Sequence, residues 1–351
     1  MDRVGSAGRG EATKSAKTSA GGRSKYMRTF VIRRLLSLIP LLVGVTFITQ
    51  ALLLASPGDY LTSLGESRRI SAAALDVLRH QYHLESHNLF IRYGNWLWQA
   101  VHGNFGYSFA YTEPVWSLVW QRMFNTLILT GTALAISWGL AIPCGAIAAV
   151  KRDSWFDKLT GVVSFAGLSM PVVFFSLLLL LLAAKTGWFP VGGIHDEVNW
   201  DSFSAIQKAG DVLWHAALPS IVLGTLNMGG YLRQMRSEMT DTLSQDYIRT
   251  ARAKGLSPRR IIFRHALGNA VNPMVSLFGF SVAYLLAGAI LTETIFAWPG
   301  MGRLTFEALR DKDEPLVMAT VVLLTLMLVV GSLISDVLLA LIDPRIRLEG
   351  R

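Results

Sequence analysis

Three stretches of this chain hold the residues able to do chemistry. His80, His83 and His87 fall at i, i+3 and i+7, so a helix through them carries three imidazoles on one face, a donor set that suits a transition metal. No carboxylate stands where it would orient a ligating ring, and the plainer reading is a solvated helix face. No metal site is assigned. Within this sequence there is no G-x-S-x-G, H-E-x-x-H or G-x-x-x-x-G-K-[ST]. The expectation is a chain that is not an enzyme, cannot hydrolyse ATP itself and requires no cofactor. The single Cys144 excludes an intrachain disulfide.

The second stretch, DYIRTARAKGLSPRRIIFRHALGNAVNP at 246–273, carries seven Lys, Arg and His side chains in its first twenty residues. Its punctuation is that of two short helices. Asp246 favours a start, Lys254 sits in a last turn and Gly255 suits a left-handed C-terminal cap. Ser257-Pro258 then reads as N-cap and first-turn proline of a second helix over Arg259–Ala270. A first helix of about nine residues is only ~13 Å long and marginal alone in water, so something outside the chain is expected to hold it. Leu243, Tyr247 and Ala251 follow i, i+4 spacing, and small Ala251 and Gly255 let another surface approach. The competing reading is an amphipathic helix lying on lipid, for which neither the turn nor the small face is needed.

The third stretch is FAWPGMGR, where Trp298, Pro299 and Gly300 either line an external gate or form a plain turn with Trp298 at the membrane interface.

Positioning these stretches falls to membrane helices. Charged residues are 16% of 351 and mean hydropathy is +0.40, while apolar runs near 20 residues recur. Six spans are expected: Phe30–Ala55, Phe124–Val150, Leu159–Lys185, His215–Leu232, Pro273–Leu291 and Pro315–Leu341. The first is too long for a cleaved signal and lacks an A-x-A site. Residues 1–26, rich in Gly, Ala, Ser and Lys, read as a disordered tail. Lys and Arg number nine in 1–34, three in 151–158, eight in 233–264 and three after Asp343, so both termini and the basic stretch are expected in the cytoplasm. The net charge of +9 suits anionic lipid, and nothing resembles a nucleic-acid-binding motif.

Between the first two spans an outer segment of about 65 residues is too long for a connector. SAAALDVLRHQYHL fits an amphipathic helix, GNFGYSF a turn, and TEPVWSLVWQRMFNTL a restarted helix; Trp96, Trp98, Trp116 and Trp120 suit the interface. The whole reads as an external cap on which a soluble partner docks. In the spans, Pro143, Pro171 and Pro219 are candidate kinks, and Ala135/Gly139, Ala141/Gly145 and Ala283/Ala287 allow close packing. Glu293 and Asp336 near span ends are the only acidic residues there, which argues against an ion-coupled relay. Asp343-Pro344-Arg345 is a helix stop.

The basic stretch resembles the cytoplasmic coupling segment, the EAA loop, of integral membrane subunits of binding-protein-dependent ABC importers, above all the B-type permease of the dipeptide/oligopeptide/nickel group. Against the pattern E-A-A-x3-G-x9-I-x-L-P it keeps Ala251, Gly255 and Leu267, and departs at Arg249, Thr250, His265 and Gly268. FVIRRLLSLIPLLVGVTFI, SPGD at 56–59, GNFGYSF, GLSMPVVFF, GWFPVGG, ETIFAWPGMGRL and LIDPRIR extend the likeness over residues 27–347, although HQYHLESHNLF strays from it.

The resemblance implies an all-α, six-helix type I ABC importer permease in a bacterial cytoplasmic membrane. It implies half of a path for peptides or a similar solute, paired with a homologous permease, two ATPase subunits and an external solute-binding protein. ATPase coupling is then expected of Tyr247, Thr250, Ala251, Gly255, Leu256, Arg264 and His265. The division expected is a tail at 1–26, first span and external segment at 27–118, core at 119–343 with the elbow at 243–272, and a tail at 344–351. Nickel or another solute, or a carrier or channel working without ATPases, are the alternatives. The latter would transport when reconstituted alone.

Overall fold

The proline in GLSMPVVFF sets the most conspicuous departure from a simple bundle. Pro171 has no N–H for a helical ladder and pushes the residue before it out of the helical region. Met170 accordingly sits at φ −85°, ψ 122°, and the single span expected over Leu159–Lys185 is two helices, Trp155–Ser169 and Val172–Thr186, bent by 104°. Pro143 and Pro219, by contrast, lie inside uninterrupted helices.

The computed structural model describes residues 36–58 and 88–342. The His80/His83/His87 triplet, the helix expected around it, the tail 1–26 and the stop at 343–345 lie outside the described residues, as do the side chains of Ala283 and Ala287. The regular structure among the described residues is helical, with one isolated antiparallel bridge between Tyr107 and Pro114. In chain order the helices are α1 (Leu36–Ala55), α2 (Leu89–Val101), α3 (Val115–Val150), α4 (Trp155–Ser169), α5 (Val172–Thr186), α6 (Ala205–Ser244) and α7 (Asp246–Ala253). The segment α8 runs through Pro258–Arg260, a π-helical Ile261–Ala266 and Leu267–Ala270; α9 (Asn272–Ile295), α10 (Met301–Arg310) and α11 (Glu314–Ile342) complete the chain. The chain divides into two units at Ile48, within α1, and α2–α11 all belong to the unit that begins at Thr49.

Among the described residues, α1, α3, α6 and α11 are long and apolar enough to cross a bilayer, and α4 with α5 makes five if the bent pair is one span. Helix α9, 24 residues long, covers the expected Pro273–Leu291.

Packing centres on α6, a 40-residue rod started by a capping box in which Ser204 and Gln207 satisfy each other's backbone N–H groups. Its neighbours come close because glycine permits it. A Cβ on Gly145 of α3 would lie 2.7 Å from the Leu232 carbonyl oxygen, and one on Gly229 of α6 would lie 2.5 Å from the Ser164 carbonyl oxygen of α4. Ala141 is buried beside Gly145, whereas Ala135 and Gly139 lie on an exposed face of α3. A second core joins the start of α3 to α10 and α11 through Val115, Val119, Met301, Leu304, Leu316 and Val317.

Candidate functional site

The basic stretch folds as an elbow whose corner is built by backbone hydrogen bonds. Leu256 N–H donates to the Ala251 carbonyl at 3.3 Å and Gly255 N–H to that of Arg252 at 2.9 Å, the paired pattern of a Schellman stop. Gly255 takes φ +75°, as the left-handed position demands, and a Cβ there would meet nothing within 4 Å. The constraint is therefore backbone strain alone. Ser257 and Pro258 start α8 in the expected positions, though the Ser257 side chain makes no capping bond. Gln245, not Asp246, is the N-cap of α7; Asp246 occupies the first turn.

Two expectations need correction. The face Leu243–Tyr247–Ala251 assumed a continuous helix, but α6 stops at Ser244 and Gln245 is extended at ψ 150°, so the register is broken between Leu243 and Tyr247. Within α7 the inward residues are Ile248 and Ala251, exposed by 0% and 7%. They pack with Met235 and Met239 of α6, Ala146 and Ala149 of α3, and Ile261, Ala266, Ala270 and Met274. Ala251 thus turns toward the chain's own core, and the support for this short helix comes from within the chain.

The other expected residues divide between joint and surface. Thr250 Oγ1 donates back to the Asp246 carbonyl at 3.0 Å, and Leu256 packs on the core of the elbow. The Asn269 side-chain amide donates both to the Tyr247 hydroxyl at 3.1 Å and to the His265 carbonyl at 2.9 Å, tying α7 to α8. Arg264 is exposed together with Arg249, Arg252, Lys254, Arg259 and Arg260. Among these cations stands Phe263, 68% exposed in the π-helical turn. Phe263 and Asn269 had no helical pattern to announce them, because the extra residue of a π turn shifts the faces of α8.

At the other end of the bundle the turn Trp298-Pro299-Gly300 is internal. Trp298 is fully buried among Leu129, Ala133, Leu223 and Ala289, so it is not an interfacial anchor. Glu293, in the last turn of α9, accepts from Thr126 Oγ1 and from the Arg303 N–H, both at 2.8 Å, and so caps the first turn of α10 from a neighbouring helix. Asp313, the residue directly before α11, caps its own helix by accepting from the Leu316 N–H at 3.3 Å. It also holds the Tyr107–Pro114 turn through Ser108 Oγ at 2.6 Å and the Ala110 N–H at 2.9 Å.

An ion pair joins α4 to α6 near the elbow. Arg236 of α6 grips Asp157 of α4 with both arms, Nε to Oδ1 at 2.5 Å and Nη2 to Oδ2 at 2.8 Å. Sequence reasoning missed it; the partners are 79 residues apart. The only signal was a carboxylate in the first turn of an apolar run.

A family model described as "Binding-protein-dependent transport system inner membrane component" matches residues 141–348. A companion described as "Binding-prot-dependent transport system membrane comp, N-term" matches residues 27–130. The oligopeptide transport system permease protein AppB of Bacillus subtilis (strain 168) is 37% identical over 323 residues, 91% of this chain and 99% of that protein. The dipeptide transport system permease protein DppB of Escherichia coli (strain K12) is 38% identical over 338 residues, 92% of this chain and 99% of that protein. Among solved structures, the MetNI methionine ABC transporter, crystallised in inward-facing conformations, gives a TM-score of 0.52 at 16% identity. The match covers 66% of this chain and 99% of that one. At that identity the likeness concerns the fold alone.

Proposed function

The chain belongs to the binding-protein-dependent transport system inner membrane components, and from that premise we propose a permease subunit forming half the path of an ATP-driven peptide importer. It is a transport component, with hydrolysis carried out by separate ATPase subunits. The peptide assignment follows the names of the relatives, which are an oligopeptide and a dipeptide permease.

The observation that carries the mechanism is the elbow. It is stiffened by its own Schellman corner, seated on Met235 and Met239 of a 40-residue helix, and it leaves exposed a surface that includes Phe263 and six cations. That surface suits a soluble partner with an apolar socket and an acidic rim. In this reading Tyr247, Arg264 and Phe263 meet the ATPase, while Thr250, Ala251, Gly255, Leu256 and His265 hold the surface in shape. The rest of the assignment is six spans with α9 as the fifth, both termini cytoplasmic, and an external cap that receives the solute-binding protein. A homologous permease supplies the other half of the path, and two ATPases drive it. The division remains 1–26, 27–118, 119–343 and 344–351, and Trp298, Pro299 and Gly300 close the outer end as a fixed wall.

Reconstitution tests this. Proteoliposomes with both permeases, both ATPases and the binding protein should take up labelled alanyl-alanine only with ATP. Uptake by the permeases without ATPases would make the chain a carrier or channel.

A further inference from the structure

Asp157 is 7% exposed at the start of α4, where its carboxylate also accepts the Asp153 N–H at 3.0 Å and Ser154 caps the helix. Its partner Arg236 stands on α6 within the same two turns as Met235 and Met239, the residues on which the elbow rests. The elbow and the ion pair therefore hold one short length of α6, about 12 Å from its end at Ser244 by helical rise. Above the pair, Gly229 brings the α6 backbone against the Ser164 backbone, and a Cβ on Gly167 would lie 3.1 Å from the Thr225 carbonyl oxygen. Helix α4 is fastened to α6 along its length. Beyond it comes the 104° break, and past α5 the chain is fastened to α6 again where Phe189 stacks on Trp214 at 4.5 Å.

Helix α5 rests on the earlier part of α6, where Ala183 packs with Leu218 and Val222, while α4 is held further along at Arg236, so a bend or twist of α6 between these attachments is taken up at the break. We propose that the Asp157–Arg236 pair is the relay by which the elbow's motion reaches the α4–α5 hinge at Met170–Pro171, both residues acting as positioning residues for transport. The bidentate geometry suits such a relay, because a two-armed guanidinium–carboxylate contact fixes rotation as well as distance, which a single hydrogen bond does not. Packing alone resists approach but not sliding, and the glycine seam offers little side chain to catch.

The inference rests on the elbow being the ATPase-docking segment, and its test separates the two. Spin labels at Leu168→Cys and Phe174→Cys, exposed positions flanking the break, report the hinge in the complete reconstituted complex. ATP with vanadate should change the label distance in the otherwise unaltered protein. In Asp157→Asn that change should be lost, with about tenfold less alanyl-alanine taken up per ATP hydrolysed. ATPase co-purification and basal hydrolysis should stay the same. Arg236→Lys, which keeps the charge and loses the fork, should fall between, and it decides the matter if Asp157→Asn does not accumulate. An unaltered distance change in these variants overturns the relay while leaving the docking assignment standing. Loss of ATPase co-purification also overturns it, because the pair would then be holding the elbow's fold. If Gly255→Asp retains full ATPase binding, the docking assignment itself fails.

Discussion

Trp298 and Asn125 join the turn between α9 and α10 to α3 by a reciprocal pair of contacts. The indole N–H donates to the Asn125 carbonyl at 3.1 Å, and the Asn125 side-chain amide donates to the Pro299 carbonyl, next to Trp298, at 2.8 Å. Both donors are satisfied inside a packed core, so the turn is held in place by polar contacts as well as by burial.

Removing the ring should therefore cost more than removing its N–H. Trp298→Ala is expected to destabilise the protein by about 3–5 kcal/mol through the cavity it leaves. Trp298→Phe should lose about 1 kcal/mol for the hydrogen bond plus a smaller packing term. Denaturant or thermal unfolding in detergent measures both, and equal losses would contradict the buried position of the ring.

The neighbouring α10 should show an acid limb of stability. Burial pushes the Glu307 carboxyl up, but hydrogen bonds from Tyr111 (2.6 Å) and Arg303 (2.8 Å) outweigh it and hold the group below its ordinary 4.5. A depressed folded pKa gives stability that is present above the unfolded value and lost as pH falls through the folded one. Tyr111 is pushed up to about 12, first by burial and then by Glu307, so its contribution fades as pH rises from 10 through about 12. Asp313, raised chiefly by burial, works in the opposite sense on the acid side. The informative quantity is thus the difference between wild type and Glu307→Gln, which should shrink as pH falls below 4.5. A pH-independent difference would show that the carboxylate's charge contributes nothing there.

How much of this was legible in the sequence depends on the range of the interaction. The elbow's corner was readable because a left-handed stop needs Gly255 and a helix start favours Ser257-Pro258, signals confined to a few residues. The orientation of Ala251 was not, because i, i+4 counting ran across Gln245, where the helix changes direction. Pro171 was visible as a kink, but hydropathy continues across it, so the run looked like one unbroken helix rather than two at 104°. The Arg236 grip on Asp157 and the Glu293 cap on α10 join separate elements, and no local pattern in one chain encodes such pairings.

Buried Ala251 and exposed Phe263 should respond to substitution in opposite ways. Ala251→Asp would place an unpaired charge against Met235 and Met239, so it should unseat α7 and lower the melting temperature. Phe263→Ala, at an exposed site, should leave the melting temperature unchanged within error and weaken ATPase co-purification. If Ala251→Asp melts like wild type, the inward packing is wrong.

The charge bias predicts the topology. A reporter fused after Lys254 should read cytoplasmic, and reporters inserted at Gly103 or Asn199 should read external. The reverse at any of these sites would break the six-span arrangement.

The central claim is that the elbow is the mechanical link to ATP hydrolysis, and Gly255 tests it most directly. Its φ of +75° strains any side chain, while open space around it means that an added group clashes with nothing in the chain. Gly255→Asp should leave the spans folded and yet weaken ATPase binding, with uptake in proteoliposomes falling together with substrate-stimulated hydrolysis. Full ATPase binding and undiminished uptake by Gly255→Asp would show that this stretch is not the link.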